Sequence, residues 1–144
     1  DAVWKWAPEG NATRTSLKLQ AEYLRSTRNG SLVVDGANTD GGDYRAVQSG
    51  WYLQGVYQFM PRWRVGLRTE RLDPGTPHYG LEAAMLADGG ARPRKQSLMV
   101  DFNPSEFSRV RLQVARDQSR EGSADNQLFL HYQMSLGAHG AHGF

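Results

Sequence analysis

Near the end of the chain, Leu128, Leu130, Tyr132, Met134 and Leu136 fall on one face of an extended backbone, and His131, Gln133 and Ser135 fall on the other, with Phe129 the exception. Successive side chains of a strand point to opposite faces, so this alternation predicts a strand that is apolar on one side and polar on the other. The pattern recurs upstream. Leu17, Leu19, Ala21 and Tyr23 oppose Lys18, Gln20 and Glu22; Trp51, Leu53, Gly55, Tyr57 and Phe59 oppose Tyr52, Gln54, Val56 and Gln58. Trp63, Val65 and Leu67 oppose Arg64, Gly66, Arg68 and Glu70, and Leu98, Val100 and Phe102 oppose Ser97, Met99 and Asp101. Val110, Leu112 and Val114 oppose Arg109, Arg111, Gln113 and Asp117. A helical period is almost absent, and the chain is predicted to be all-β, with about six antiparallel strands in up-and-down order.

The connections divide into two kinds. Met60-Pro61-Arg62 and Asn103-Pro104-Ser105-Glu106 are tight, whereas Thr27 to Arg45, Asp73 to Arg94 and Gln118 to Asn126 are long, polar and rich in glycine. Short turns on one side and long loops on the other are the signature of an outer-membrane β-barrel, with the short turns in the periplasm. Proline suits such turns because it presets φ and has no N–H to lose. Trp4-Lys5-Trp6 then becomes the foot of a seventh strand, followed by its own turn at Ala7-Pro8-Glu9-Gly10-Asn11. Aromatics gather where strands meet the turns: Trp4, Trp6, Tyr57, Phe59, Trp63, Phe102 and Phe107 on the periplasmic side, Tyr23, Tyr44 and Trp51 on the outer side. Amphipathic rings favour the two membrane interfaces, although aromatics are common in strands generally.

Composition narrows the function. A chain of 144 residues with a mean hydropathy of −0.63 has no apolar run long enough for a spanning helix, which a strand-built membrane wall does not need. With no cysteine there is no disulfide scaffold and no thiol chemistry, and no cofactor is expected. The net charge of +2 is too small and too dispersed to point to nucleic acid. No signal peptide opens the chain, and no nucleophile elbow, paired-carboxylate site or phosphate loop appears, so no enzyme is expected. Single-chain barrels start at about eight strands. Residues 1–144 are therefore expected to be the C-terminal part of a single, larger outer-membrane barrel domain, the alternative being that copies assemble to close the wall.

Val3-Trp4-Lys5-Trp6-Ala7-Pro8, the strand segments around Leu17–Tyr23, Ser49–Phe59 and Arg62–Arg68, and the ending with Gly137-Ala138-His139-Gly140-Ala141-His142 resemble the C-terminal portion of proteobacterial outer-membrane proteins described as TonB-dependent, zinc-regulated receptors. The resemblance implies a barrel that takes up a small solute, a metal or metal complex among the candidates, with TonB engaged through N-terminal parts outside these residues. It brings no catalytic residue.

Candidate sites follow from the faces. Lys18, Glu22, Arg64, Arg68, Glu70, Asp101, Arg109, Arg111 and Asp117 are expected to line a lumen, where they would either favour anionic solutes in an open, porin-like channel or form cross-strand ion pairs. His139 and His142 offer imidazoles for a metal, but in a strand they lie on opposite faces, and the blander expectation is a strand end that barrel-assembly machinery recognises together with Phe144. Asp40-Gly41-Gly42-Asp43 lacks the regular positions of a calcium loop. The lipid of the outer membrane is the expected partner of the apolar face. The rival architecture is a soluble β-barrel or sandwich binding module in which the same stripes pack inward.

Overall fold

In a computed structural model, which describes residues 1–33, 41–79 and 91–136, the chain forms a single antiparallel sheet of seven strands in the order of the sequence. The strands are β1 (Ala2–Trp6), β2 (Ser16–Val33), β3 (Gly41–Met60), β4 (Trp63–Asp73), β5 (Arg94–Ser105), β6 (Ser108–Gln118) and β7 (Asp125–Met134). Every strand pairs with its chain neighbours, so the topology is up-and-down, and the sheet stays open with β1 and β7 at its edges. The expected foot of a seventh strand at Trp4–Trp6 is present as β1, which pairs Trp4 with Leu19 and Trp6 with Leu17.

Register lines the alternating residues up into rows across the sheet. On one face, Trp4, Leu19, Gly55, Leu67, Leu98, Val114 and Leu128 form a row, next to Trp6, Leu17, Tyr57, Val65, Val100, Leu112 and Leu130. Trp63, Phe102, Val110 and Tyr132 form the row nearest the short turns, with the Trp63 and Phe102 rings 4.7 Å apart. These side chains are largely exposed, Leu130 by 75%, while among the described residues the buried apolar side chains are only Ala46 and Ala115. The sheet has one layer, and its apolar surface faces outward instead of enclosing a core.

Three connections share one end of the sheet. They are residues 7–15, which hold a 3-10 turn at Pro8–Gly10, the pair Pro61-Arg62, and the pair Glu106-Phe107. The last of these corrects the expected turn at Asn103–Glu106. β5 continues to Ser105 through an irregularity in register after Phe102, and Phe107 sits in the turn itself.

The largest departure is at the opposite end. The polar, glycine-containing stretch from Thr27 to Arg45 does not begin as a loop: β2 and β3 stay paired from Ser16↔Gln58 out to Val33↔Gly41. Backbone hydrogen bonds hold a ladder whatever the side chains are, so a hairpin that has left the sheet needs no apolar face. Its strand neighbours stop short of it, β1 at Ala2↔Ala21 and β4 at Ser49↔Asp73. Beyond that point the chain following β4 joins it through His78, whose backbone pairs with Arg45 at 2.7 and 2.9 Å, and through the Tyr44 and Tyr79 rings 5.8 Å apart. Tyr44 therefore belongs to the polar side of the hairpin, not to an aromatic border. β7 ends at Met134, so Leu136 lies past the strand that was expected to carry it.

Arg62 has φ 72°, the left-handed region that costs a side-chain-bearing residue about 1 kcal/mol. Its carbonyl accepts the Asn103 N–H at 2.8 Å, tying this turn to β5. Arg62→Gly keeps that bond and removes the strain, and is expected to raise stability by about 0.5–1 kcal/mol in chemical denaturation. A lowered midpoint would show that the arginine side chain contributes more than the strain costs.

Candidate functional site

All the charged residues expected on one face are found there. Lys18, Glu22, Arg64, Arg68, Glu70, Asp101, Arg109, Arg111 and Asp117 occupy the register positions between the apolar rows, on the face opposite Leu67 and Leu98. One such row runs Glu22, Tyr52, Glu70, Lys95, Asp117, and another runs Gln58, Arg64, Asp101, Arg111, His131.

This face is concave. It encloses a trough of about 930 Å³ lined from β1 to β6, whose charged side chains are Lys5, Lys18, Arg64, Arg68, Arg109 and Arg111 against the single carboxylate of Asp101. Gly66 lies in the floor, where the space a side chain would fill is taken by Met99. At the short-turn end the trough is closed by Gln58, which is 6% exposed. Its amide donates to the carbonyl of Thr13 at 2.7 Å, holding residues 12–14 over the end of the sheet, and its oxygen accepts from Arg64 Nε at 3.0 Å. A second cavity of about 650 Å³ lies towards the other end of the sheet and reaches Tyr52, Glu70, Lys95 and Asp117.

The cations are not equivalent. Arg111 makes a two-pronged ion pair with Asp101, at 2.7 and 2.8 Å, and Arg109 approaches the same carboxylate at 3.9 Å. Arg68 is neutralised by Glu70 at 2.8 Å and lies 4.0 Å over the Tyr52 ring, whose hydroxyl accepts from Gln20. Lys95 bridges to Asp117 at 3.3 Å and donates to Gln127. Lys5 and Lys18, by contrast, face each other directly across β1 and β2 with no ion pair among the described residues. Cross-strand ion pairs, expected from sequence, therefore form from Arg109 and Arg111 to Asp101 and from Lys95 to Asp117, Arg68 pairs along its own strand, and Lys5, Lys18 and Arg64 make no ion pair among the described residues. Lys5, carried by the five-residue β1, is a lining residue beyond those expected from sequence. Its signal was the alternation Trp4-Lys5-Trp6, which puts the lysine on the polar face once β1 is accepted as a strand.

The aromatics Trp6, Tyr23, Trp51, Tyr57, Phe59, Trp63 and Phe102, expected at membrane interfaces, lie on the apolar face, Tyr23 opposite Trp51 at the end remote from the short turns. Trp4 lies one row deeper than Trp6, level with Leu19 and Leu67. His131 stacks on Phe129 at 5.8 Å on the polar face. His139, His142 and Phe144 lie outside the described residues, as does Asp40. Among the described residues no group of three or more His, Asp or Glu side chains is placed to share a metal ion.

An uncharacterized protein of Aquifex aeolicus (strain VF5) is 27% identical to this chain over 133 residues, covering 89% of the chain. The chain spans only 27% of that relative's length. No family model and no solved structure matches.

Proposed function

We propose that this sheet is a sector of the wall of a transmembrane β-barrel in a bacterial outer membrane, and that its concave polar face lines a passage for small anionic solutes. What carries the reading is the way the apolar stripe crosses the register. On β2 it runs from Leu17 to Tyr23, and on β7 from Leu128 to Met134. Followed through the paired rows, the β7 stretch is displaced by two rows towards the short turns. Two rows are about 13 Å along the strands, and β2 to β7 is about 24 Å across them, a slope of roughly 30°. A level slab of lipid cutting strands tilted by about 35–45° leaves such a slanted band, and the core of a soluble sandwich has no need of one. The longest stretch, from Trp51 to Phe59, covers about 27 Å of strand, or about 21 Å of depth at that tilt, close to the apolar height of barrel walls.

Anionic solutes are favoured over bare metal cations because the trough sets six cationic side chains against one carboxylate. Among them Lys5, Lys18 and Arg64 make no ion pair among the described residues, and because Arg64 also holds Gln58 at the closed end, the two lysines and not the paired Arg68 and Arg111 are the proper probes. In planar bilayers, the combined change Lys5→Gln and Lys18→Gln in the full chain is expected to lower the anion-over-cation permeability ratio by roughly two- to fivefold. An unchanged ratio would sink the proposed selectivity. A chain that is folded and monomeric in plain buffer would sink the membrane wall itself.

A further inference from the structure

The apolar band has a charged border at one edge only. At the end of the apolar face remote from the short turns, Arg25 on β2 and Arg116 on β6 stand next beyond Tyr23 and Val114, while Arg71 on β4 and Arg94 on β5 stand one row beyond Leu67 and Leu98, past Thr69 and Gln96. They step through the register as the band does. Arg25 is one row further out than Arg71 and Arg94, and Arg116 is one row further in. At the short-turn edge the same face carries Trp63, Phe102 and Tyr132 instead, and no strand residue there is basic.

Arg71 and Arg94 are direct cross-strand neighbours, which puts their Cβ atoms about 4.5–5.5 Å apart. Like charges in that position are destabilising unless something neutralises them. On the polar face the central strands avoid this: Asp101 lies between Arg64 and Arg111, and Lys95 between Glu70 and Asp117. No such relief exists for Arg71 and Arg94. All four arginines are exposed, none makes an ion pair among the described residues, and Asp73, the nearest acid on that face of β4, accepts the N–H of Gly75. Trp51 lies directly opposite Arg71, and Leu53 is the next residue inward on its face.

We infer that the line Arg25, Arg71, Arg94 and Arg116 binds the phosphate groups of a phosphorylated glycolipid in the outer leaflet, a reading that rests on the membrane orientation proposed above. Guanidinium groups bind phosphate in forked, two-pronged contacts, and a phosphate seated between Arg71 and Arg94 turns a repulsion into two attractions. The lipid's acyl chains then lie along Trp51, Leu53 and the rows below. This occupant fits better than a soluble phosphate because the cations adjoin the apolar Tyr23, Trp51 and Val114 on the same face, so headgroup and chains are met together.

The test uses the full chain in uncharged detergent micelles. It is titrated with a bis-phosphorylated, multiply acylated glucosamine disaccharide (lipid A) and with its dephosphorylated form, binding being read from tryptophan fluorescence and native mass spectrometry. The phosphorylated lipid is expected to bind tighter than the dephosphorylated one. Arg71→Ala with Arg94→Ala is expected to weaken it roughly 30-fold, at about fivefold per cation near an anionic surface. Equal binding by both proteins, or equal binding of both lipids, would overturn the proposal, and displacement of the lipid by millimolar inorganic phosphate would assign the site to a soluble anion. A parallel measurement keeps the two readings apart. Brominated acyl chains in neutral vesicles should quench tryptophan in the original chain and the double variant alike; quenching in both with no lipid preference removes the arginine site alone, and no quenching in either removes the membrane wall and the site with it.

Discussion

Replacing Leu67 with arginine is expected to destabilise the protein in a bilayer by about 2–4 kcal/mol, the cost of a cation at the midplane of a barrel's lipid face. Leu67 sits in the central apolar row between Gly55 and Leu98 and is 61% exposed. In water so exposed a position tolerates substitution to within about 0.5 kcal/mol, so the environment decides the size of the effect. A soluble core would also reject an arginine, and a second position separates the cases. Gln96 is on the same face one strand over, one row further out and just beyond Leu98. In lipid Gln96→Arg lies near the interface, where the cost falls to about 0–1 kcal/mol. Unfolding by denaturant from lipid vesicles should therefore give a large loss at Leu67 and a small one at Gln96. Losses of equal size at the two positions would contradict a graded lipid boundary.

That experiment tests the part of the structure that was most legible beforehand. The period of two in Leu17–Tyr23, Trp51–Phe59 and Val110–Val114 is forced by the pleat, and register then had little freedom, because a slip of one residue would turn every apolar side chain to the wrong face. The polar face was legible for the same reason, and Lys18, Arg64, Arg68, Asp101 and Arg111 came together as a consequence of it. The hairpin beyond Tyr23 and Trp51 was not legible. There the apolar residues Leu24, Val33, Ala46 and Val47 are scattered without alternation, and Thr27, Asn29, Gly30 and Ser31 have loop composition inside a strand. Nor was the division of labour among the cations. Sequence gives the face of a charge, whereas the difference between the compensated Arg68 and the uncompensated Lys18 depends on which row each occupies and what stands beside it.

The border arginines show the same limit from the other side. Arg71 and Arg94 are separated by 22 intervening residues in the chain, most of them in the connection from β4 to β5, and nothing local marks them as a pair. They become neighbours only because Trp63 pairs with Phe102 and the ladder carries that register outward without interruption to Arg71↔Arg94. A shift of two residues in that pairing would keep every apolar side chain on its face and still separate the two cations. The contact is thus a property of register, and so is the repulsion that calls for an anion.

Register also sets the cost of disturbing the trough, and here removal of a cation is expected to do more harm than removal of its partner. Asp101 is 1% exposed, while the Arg111 side chain that binds it through both nitrogens retains 25% of its accessible surface. Arg111→Ala leaves a buried carboxylate with only Arg109, at 3.9 Å, as a remaining ion-pair partner, and should cost about 3 kcal/mol, at the low end for breaking a buried pair because Arg109 stays. Asp101→Asn keeps the shape and lets Arg111 turn towards the open trough, where water can solvate it. Its cost should be nearer 1 kcal/mol. Changing both residues together, Asp101→Leu with Arg111→Met, removes the charge and its need for a partner at once, and should recover most of the loss seen with Arg111→Ala. Equilibrium unfolding of the four proteins decides the matter: if Arg111→Ala falls within 0.5 kcal/mol of the original chain, the Asp101 carboxylate is solvated after all, and the floor of the trough is wetter than its burial implies.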